Sequence, residues 1–172
     1  MNDNVLNILK PFLSRMEGCR YVAYRDTGGV LTIGIGSTSN VTEGMTIDDA
    51  GVLERLKNDL HNADLKVISD VTVLLNDNQY ACVLDCAYNL TTKSFIHLAT
   101  LLNQSTNSFE LDLIQHCRDM QGNYLKGLVK RRIADRLLFN NMDWLNFVNW
   151  AEQPMIVVSD MINRYNQIFP GS

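Results

Sequence analysis

Two acidic residues and a threonine near the N-terminus have side chains suited to hydrolytic chemistry. Glu17 follows an amphipathic stretch, Asp26 precedes a Thr-Gly-Gly turn, and Thr32 begins the segment that returns from the turn. Breaking an acetal such as a glycosidic bond requires one carboxylic acid to protonate the leaving oxygen. It also requires one carboxylate to activate water or to attack carbon. The residue types and their spacing therefore suggest glycosidase chemistry.

Each of the three residues also has a plainer structural interpretation. Glu17 is a candidate general acid because a helix end and burial both favour its protonated form, but glutamates at helix ends are more often solvated. Asp26 could orient water or stabilise positive charge on the sugar, and it is also a common turn residue whose side chain binds the backbone. The Thr32 hydroxyl could bind a water molecule, or Thr32 could be an ordinary β-branched strand residue.

Two sequence motifs resemble the phage-type lysozymes, the endolysin muramidases of tailed bacteriophages (glycoside hydrolase family 24). The first is E-G-x-R-x-x-A-Y-x-D-x-x-G-x-x-T-I-G-x-G at residues 17–36, and the second is LKGLVKRRIADRLLF at residues 125–139. The resemblance implies a catalytic set of Glu17, Asp26 and Thr32, with inversion at the anomeric carbon. It also implies that Arg131 pairs with Glu17 across a cleft, which would oppose the effect of the helix end.

The same resemblance implies hydrolysis of the β-1,4 bond between N-acetylmuramic acid and N-acetylglucosamine in bacterial peptidoglycan, without a metal or another cofactor. For a phage endolysin we expect a monomer that is cytoplasmic at synthesis and acts in the periplasm or at the cell wall after holin-dependent release. One alternative is an antibacterial toxin domain, which would have an immunity protein. Another is an inactive scaffold that binds peptidoglycan or a protein.

Two positions depart from the pattern of the family. Ser37 stands where many relatives have histidine, so part of the hydrogen bonding and ring packing expected there is lost. Lys126 replaces the proline that usually begins the late motif. Because Ser37 leaves the catalytic set intact, we expect it to affect local stability or pH behaviour more than activity. Lys126 is expected to affect how its helix begins.

Composition indicates a soluble globular protein. The 172 residues are 46% hydrophobic and 20% charged, which suits one packed unit. No apolar run is long enough for a membrane span, and the first residues lack the pattern of a secretion signal. The net charge of −4 argues against nucleic acid and gives weak attraction to a polyanionic cell wall.

The four cysteines favour buried free thiols over disulfides. Two of them lie four residues apart in a helical pattern and the others are scattered. The three histidines form no ligand-like spacing with these cysteines, so no metal site is predicted. The cysteines are Cys19, Cys82, Cys86 and Cys117, and the histidines are His61, His97 and His116.

The hydrophobic periodicity, read together with the family resemblance, predicts an α+β, mainly α fold of two lobes. A first helix interrupted at Pro11 and capped by Gly18 leads into a small β-hairpin sheet at 21–36. One long helix follows over about 47–69 and bridges the lobes, and a helical C-terminal lobe comes after it. Its helices are expected near 77–90, 94–103, 108–118 and 126–140.

We expect a catalytic domain over residues 1–142, with an N-lobe over about 12–60 and a C-lobe over about 70–142 that includes the N-terminal helix. Residues 143–172 are then a helical extension packed on the C-lobe, or a surface for cell wall or a partner protein, since aromatic residues cluster there. The basic run from Lys126 to Arg136 is interpreted as a mostly solvated face with one functional arginine, with a phosphate-binding patch as the alternative.

Overall fold

The computed structural model describes residues 1–26, 28–119 and 121–171. Helices dominate, and the strands of the described residues form one two-stranded antiparallel sheet, which confirms the predicted α+β, mainly α class. In chain order the elements are α1 (Asp3–Glu17), β1 (Arg20–Arg25), β2 (Leu31–Gly34), α2 (Asp49–Asp59), α3 (His61–Asp70), α4 (Asp77–Asn89), α5 (Thr92–Gln104), α6 (Thr106–Leu113), a 3₁₀ helix (Ile114–Cys117), α7 (Lys126–Phe139), α8 (Trp144–Ala151) and α9 (Val158–Ile168).

Helix α1 runs without a break from its cap to the first site residue. The Asn2 side chain accepts a hydrogen bond from the Val5 backbone, and Gly18 ends the helix with φ 83°. The predicted interruption at Pro11 is wrong, because the helix continues through it. Pro11 is exposed, while Leu9, Phe12 and Leu13 around it are fully buried. Burial of this face outweighs the backbone hydrogen bond that proline cannot make.

The hairpin positions the second group of site residues. β1 pairs antiparallel with β2, with Tyr24 opposite Thr32, and the register shifts between Arg20 and Tyr24. The segment at 45–47 lies beside β1: the Ala23 N–H donates to the Met45 carbonyl at 2.8 Å. The strand that follows Glu17 is therefore held on both sides.

The predicted long helix over 47–69 is in fact two helices, α2 and α3, which meet at Leu60. The ψ angle of Leu60 is −11°, although its N–H still binds the Leu56 carbonyl. The apolar stripe crosses this junction unbroken, with Leu56, Leu60, Ala63 and Val67 all buried. The spacing therefore predicted the buried face correctly and gave no signal for the break.

The C-terminal helices form the main core. Asn76 begins α4 with a capping box in which the Gln79 side chain binds the Asn76 N–H. Helix α4 packs against α1, α3 and α7, so it lies between the two helices that carry Glu17 and Arg131. Among the described residues, no helix is both long enough and apolar enough to cross a membrane.

Helices α8 and α9 both pack against α7. The Trp144 ring meets the Phe12 ring edge-on, with centroids 5.0 Å apart. Arg136 of α7 donates to the Tyr165 hydroxyl of α9 and lies over the Phe169 ring. Aromatic residues of the C-terminal segment are thereby used in packing.

Candidate active site

The structure brings Glu17 and Arg131 together. Glu17 is the last residue of α1, and Arg131 is on α7, where its Nη1 donates to Glu17 Oε1. Both residues line an open cavity of about 280 Å³. The Glu17 side chain is 37% exposed, so it is less buried than the sequence suggested and is accessible to a ligand in the cavity.

Asp85 holds the other side of the Arg131 guanidinium. Its two carboxylate oxygens accept from Arg131 Nε at 3.0 Å and from Nη2 at 2.6 Å. Asp85 lies on α4 and is fully buried. Burial alone would raise the pKa of Asp85, but the Arg131 charge and hydrogen bonds outweigh it and lower the pKa below its usual value. A fixed carboxylate thus orients the cation that binds Glu17.

A second buried ion pair lies behind Asp85. Arg132 Nη2 lies 3.3 Å from Asp85 and 3.2 Å from Asp135, and it also donates to the Asn89 side chain at 2.9 Å. Burial raises the pKa of Asp135 well above its usual range. Neither Asp135 oxygen has a hydrogen-bond partner among the described residues, and its ion-pair partner there is the Arg132 guanidinium.

The interpretation of the basic run as a mostly solvated face is wrong for its arginines. Arg131, Arg132 and Arg136 are only 5%, 1% and 6% exposed. Each binds a carboxylate from another helix, and for Arg136 that partner is Glu110 at 2.9 Å. The spacing along α7 could not reveal these acids, because they come from α4 and α6.

Sequence reasoning missed Asp85, although a signal was present. The helical pattern around it is apolar, with Leu84 and Cys86 on either side. An acid in the middle of such a pattern must be buried with a partner or point to solvent. Its identification required the position of α7, which the sequence does not give.

Asp26 and Thr32 are linked through Val30 at the end of the hairpin. Asp26 Oδ1 accepts from the Gly28 and Val30 N–H groups at 2.9 and 2.8 Å, so the turn-forming role is present. Within the described residues its Oδ2 accepts no hydrogen bond. The buried Thr32 hydroxyl donates to the Val30 carbonyl at 3.0 Å, which leaves its lone pairs as acceptors.

The candidate residues thus form two pairs, Glu17 of α1 with Arg131 of α7, and Asp26 with Thr32 at the hairpin. Glu17 and Arg131 line the cavity beside α7, whereas Asp26 follows β1 in an exposed turn and Thr32 is a buried residue of β2. The strand β1, which begins three residues after Glu17, connects the pairs. Asp26 Oδ2 accepts no hydrogen bond from the described residues, and the Thr32 hydroxyl keeps acceptor lone pairs, so each side chain has an atom that can accept from a water molecule.

Ser37 lies next to a separate cavity of about 360 Å³ in the N-terminal part of the chain. Its hydroxyl lies 3.5 Å from Asp59 and 3.4 Å from Arg55, so both contacts are weak. Burial raises the pKa of Asp59, and the hydrogen bond from Ser37 offsets this only in part. Asp59 therefore has a serine hydroxyl for a partner at the position where the family resemblance gives histidine.

Among residues 1–26, 28–119 and 121–171, no group of three or more histidine, cysteine, aspartate or glutamate side chains is arranged to hold a metal ion. His97 Nε2 and His116 Nε2 each lie within 3.3 Å of the same Asp112 oxygen. The four cysteines are free thiols, and burial raises the pKa of Cys117 to about 11.

Comparisons with known proteins identify the family that this chain resembles. Residues 14–135 match the family model of phage lysozyme. The endolysin of Salmonella phage P22 is 38% identical over 97 residues, which cover 54% of this chain and 66% of that endolysin. The endolysin of Lactococcus phage c2 is 30% identical over 143 residues, which cover 81% of this chain and 60% of the relative. The chain therefore spans slightly less than two thirds of these relatives.

The fold agrees with a solved structure as well. A crystal structure of a P22 lysozyme mutant superposes with a TM-score of 0.70 at 29% identity, covering 81% of this chain and 97% of that one. The family match ends at residue 135, so α8 and α9 lie beyond it.

Proposed function

The chain belongs to the phage lysozyme family, and we propose that it is a glycoside hydrolase that cleaves the β-1,4 bond between N-acetylmuramic acid and N-acetylglucosamine in peptidoglycan. The observation that carries the proposal is the chain of contacts from Glu17 through Arg131 to Asp85. It places a carboxyl group at an open cavity and fixes its orientation from the protein interior.

Glu17 is the general acid in this proposal. Glu17 protonates the glycosidic oxygen as the bond to the anomeric carbon breaks, and its own side chain is then an ionised carboxylate. The ionised product of that transfer lies beside the Arg131 guanidinium, which stabilises it. Arg131 itself is held by Asp85, so it need not reorganise during the reaction.

Asp26 and Thr32 bind the attacking water. The free Asp26 oxygen accepts a proton from the water, and the Thr32 hydroxyl orients it. Attack from the face opposite the leaving group inverts the anomeric carbon. Because Asp26 Oδ1 is held by two backbone N–H groups, the carboxylate keeps its direction while Oδ2 does the chemistry.

We also propose the domain division and the biological setting. Residues 1–142 form the catalytic domain, with an N-lobe over about 12–60 and a C-lobe over about 70–142 plus α1, and residues 143–172 form an extension. The enzyme acts as a monomer on the cell wall in host lysis and reaches the wall after a holin opens the membrane. Both of the relatives described above are named endolysins, which supports this setting over that of a toxin with an immunity protein.

The test is to digest purified peptidoglycan and identify the reducing ends of the soluble products. The proposal expects fragments that end in reducing N-acetylmuramic acid. Fragments that end in reducing N-acetylglucosamine would contradict the bond assignment. If the protein binds sacculi and releases no fragments across a range of pH, salt and wall sources, it is a scaffold and the enzyme proposal is overturned.

A further inference from the structure

The C-terminal segment beyond the family match contacts both helices of the acid pair. Glu152 follows α8, and its Oε2 lies 2.5 Å from Arg15 Nη2 while its Oε1 lies 2.8 Å from Lys130 Nζ. Arg15 is two residues before Glu17 on α1, and Lys130 is the residue before Arg131 on α7. One carboxylate therefore joins the end of α1 to the start of α7, next to the proposed site.

Three further contacts fix the same segment. Asn149 Oδ1 accepts from Arg15 Nη2 at 2.9 Å, and Lys126 Nζ donates to the Ile156 carbonyl. The Trp144 ring packs edge-on against Phe12 of α1. These contacts come from three places in the segment, so Glu152 is held in position and is not a mobile surface acid.

The position of Glu152 affects the proposed site through Lys130. It lines the same cavity as Glu17 and Arg131, and its side chain is 17% exposed. A lysine ammonium on a flexible stem could bind Glu17 in competition with the planar Arg131 guanidinium. In the structure Lys130 binds Glu152, and Glu17 binds Arg131.

We propose that Glu152 is a positioning residue, which holds Lys130 away from Glu17 so that the acid pairs with Arg131 alone. The inference rests on the proposed function of Glu17 as the general acid. It assigns a role in catalysis to the segment 143–157, which the family match does not include. Glu152 acts only through Lys130, and its contact with Arg15 anchors it to α1.

Glu152→Gln tests the inference, with kcat and KM measured on soluble peptidoglycan glycan chains. We expect kcat to fall about tenfold, less than the hundredfold that a misplacement of about 1 Å can cost a catalytic group. KM should change less than about twofold, since uniform binding is not removed. The matched control is Glu110→Gln, which removes the carboxylate partner of a different α7 cation, Arg136, and leaves Glu152 in place.

The double variant Glu152→Gln with Lys130→Gln separates positioning from general stability. If released Lys130 is what disturbs Glu17, removing it restores most of the lost kcat. A purely structural role for Glu152 predicts no recovery, because the double variant lacks both partners. An unchanged kcat in Glu152→Gln, or no recovery in the double variant, overturns the inference while wild-type activity still upholds the proposed function.

A crystal structure of the Glu152→Gln variant gives a readout that does not depend on activity. The inference expects Lys130 Nζ within hydrogen-bond distance of the Glu17 carboxylate. A Lys130 side chain directed elsewhere, with the Glu17–Arg131 pair unchanged, contradicts it. An inactive wild-type enzyme would overturn the proposed function. The variant structure would still show whether Lys130 binds Glu17 when Glu152 is replaced.

Discussion

Asp85 binds Arg131 through both carboxylate oxygens, at 3.0 and 2.6 Å, in the buried interface between α4 and α7. Arg131 has a third donor left, and that donor binds Glu17. Glu17 is therefore linked to the protein core by a buried cation and not by its own burial.

Asp85→Asn is expected to reduce both stability and activity. Asparagine keeps the shape of the side chain but leaves two buried arginines short of one negative charge, which costs about 3–5 kcal/mol. Because the folded pKa of Asp85 is lowered, its carboxylate contributes stability above the usual aspartate range, and that contribution is lost as pH falls through the folded pKa. Urea unfolding at pH 7 and pH 3 should show a smaller difference from wild type at the lower pH. A constant difference would contradict the assignment of charge to Asp85.

Asp135→Asn is expected to have the opposite pH dependence. Unfolded aspartate has a pKa of about 4, whereas burial raises the pKa of folded Asp135 well above that value. Between the two values the folded state binds the extra proton, so wild-type stability falls as pH rises. Asparagine cannot ionise, so the variant gains stability relative to wild type as pH rises. Urea unfolding at several pH values measures this, and a parallel pH profile for the two proteins would refute it.

Asp26→Asn separates the two roles of Asp26. The asparagine oxygen can still accept from the Gly28 and Val30 N–H groups, so the unfolding midpoint should stay unchanged. The charge that activates water is lost, so muropeptide release should fall by about 10²-fold or more. The comparison variant is Asp26→Ala, which removes both functions and should lower the midpoint as well. If Asp26→Asn keeps wild-type activity, Asp26 serves only the turn.

Local signals in the sequence were sufficient to predict the hairpin and several helix ends. Gly18 and Asn76 mark ends because their backbone or side-chain chemistry acts within a few residues. Leu60 could not be identified as a junction, since neither proline nor glycine is present and the apolar stripe continues. The prediction at Pro11 was wrong because the free-energy cost of one proline in the helix is smaller than the free energy gained by burying the apolar face of α1.

Candidate site residues could be proposed from the sequence where they lie in one segment. Glu17, Asp26 and Thr32 could be proposed together because one helix end and one hairpin carry them. Asp85 and Glu152 were not found, because their roles depend on side chains 46 and 22 residues away along the chain. Such contacts are set by helix packing, which periodicity alone does not specify.

The most direct test of the central claim is the activity of the Glu17→Gln variant. Glutamine keeps the size of the side chain and can still accept from Arg131, so the variant should fold and should bind sacculi as wild type does. Without an acid to protonate the leaving oxygen, the rate of muropeptide release should fall by about 10²–10⁴-fold. Glu110→Gln is the matched control, since Glu110 pairs with Arg136 of the same helix, and it should keep its rate per folded molecule. Release by Glu17→Gln at more than about a tenth of the wild-type rate would contradict the account, because a general acid contributes far more than that.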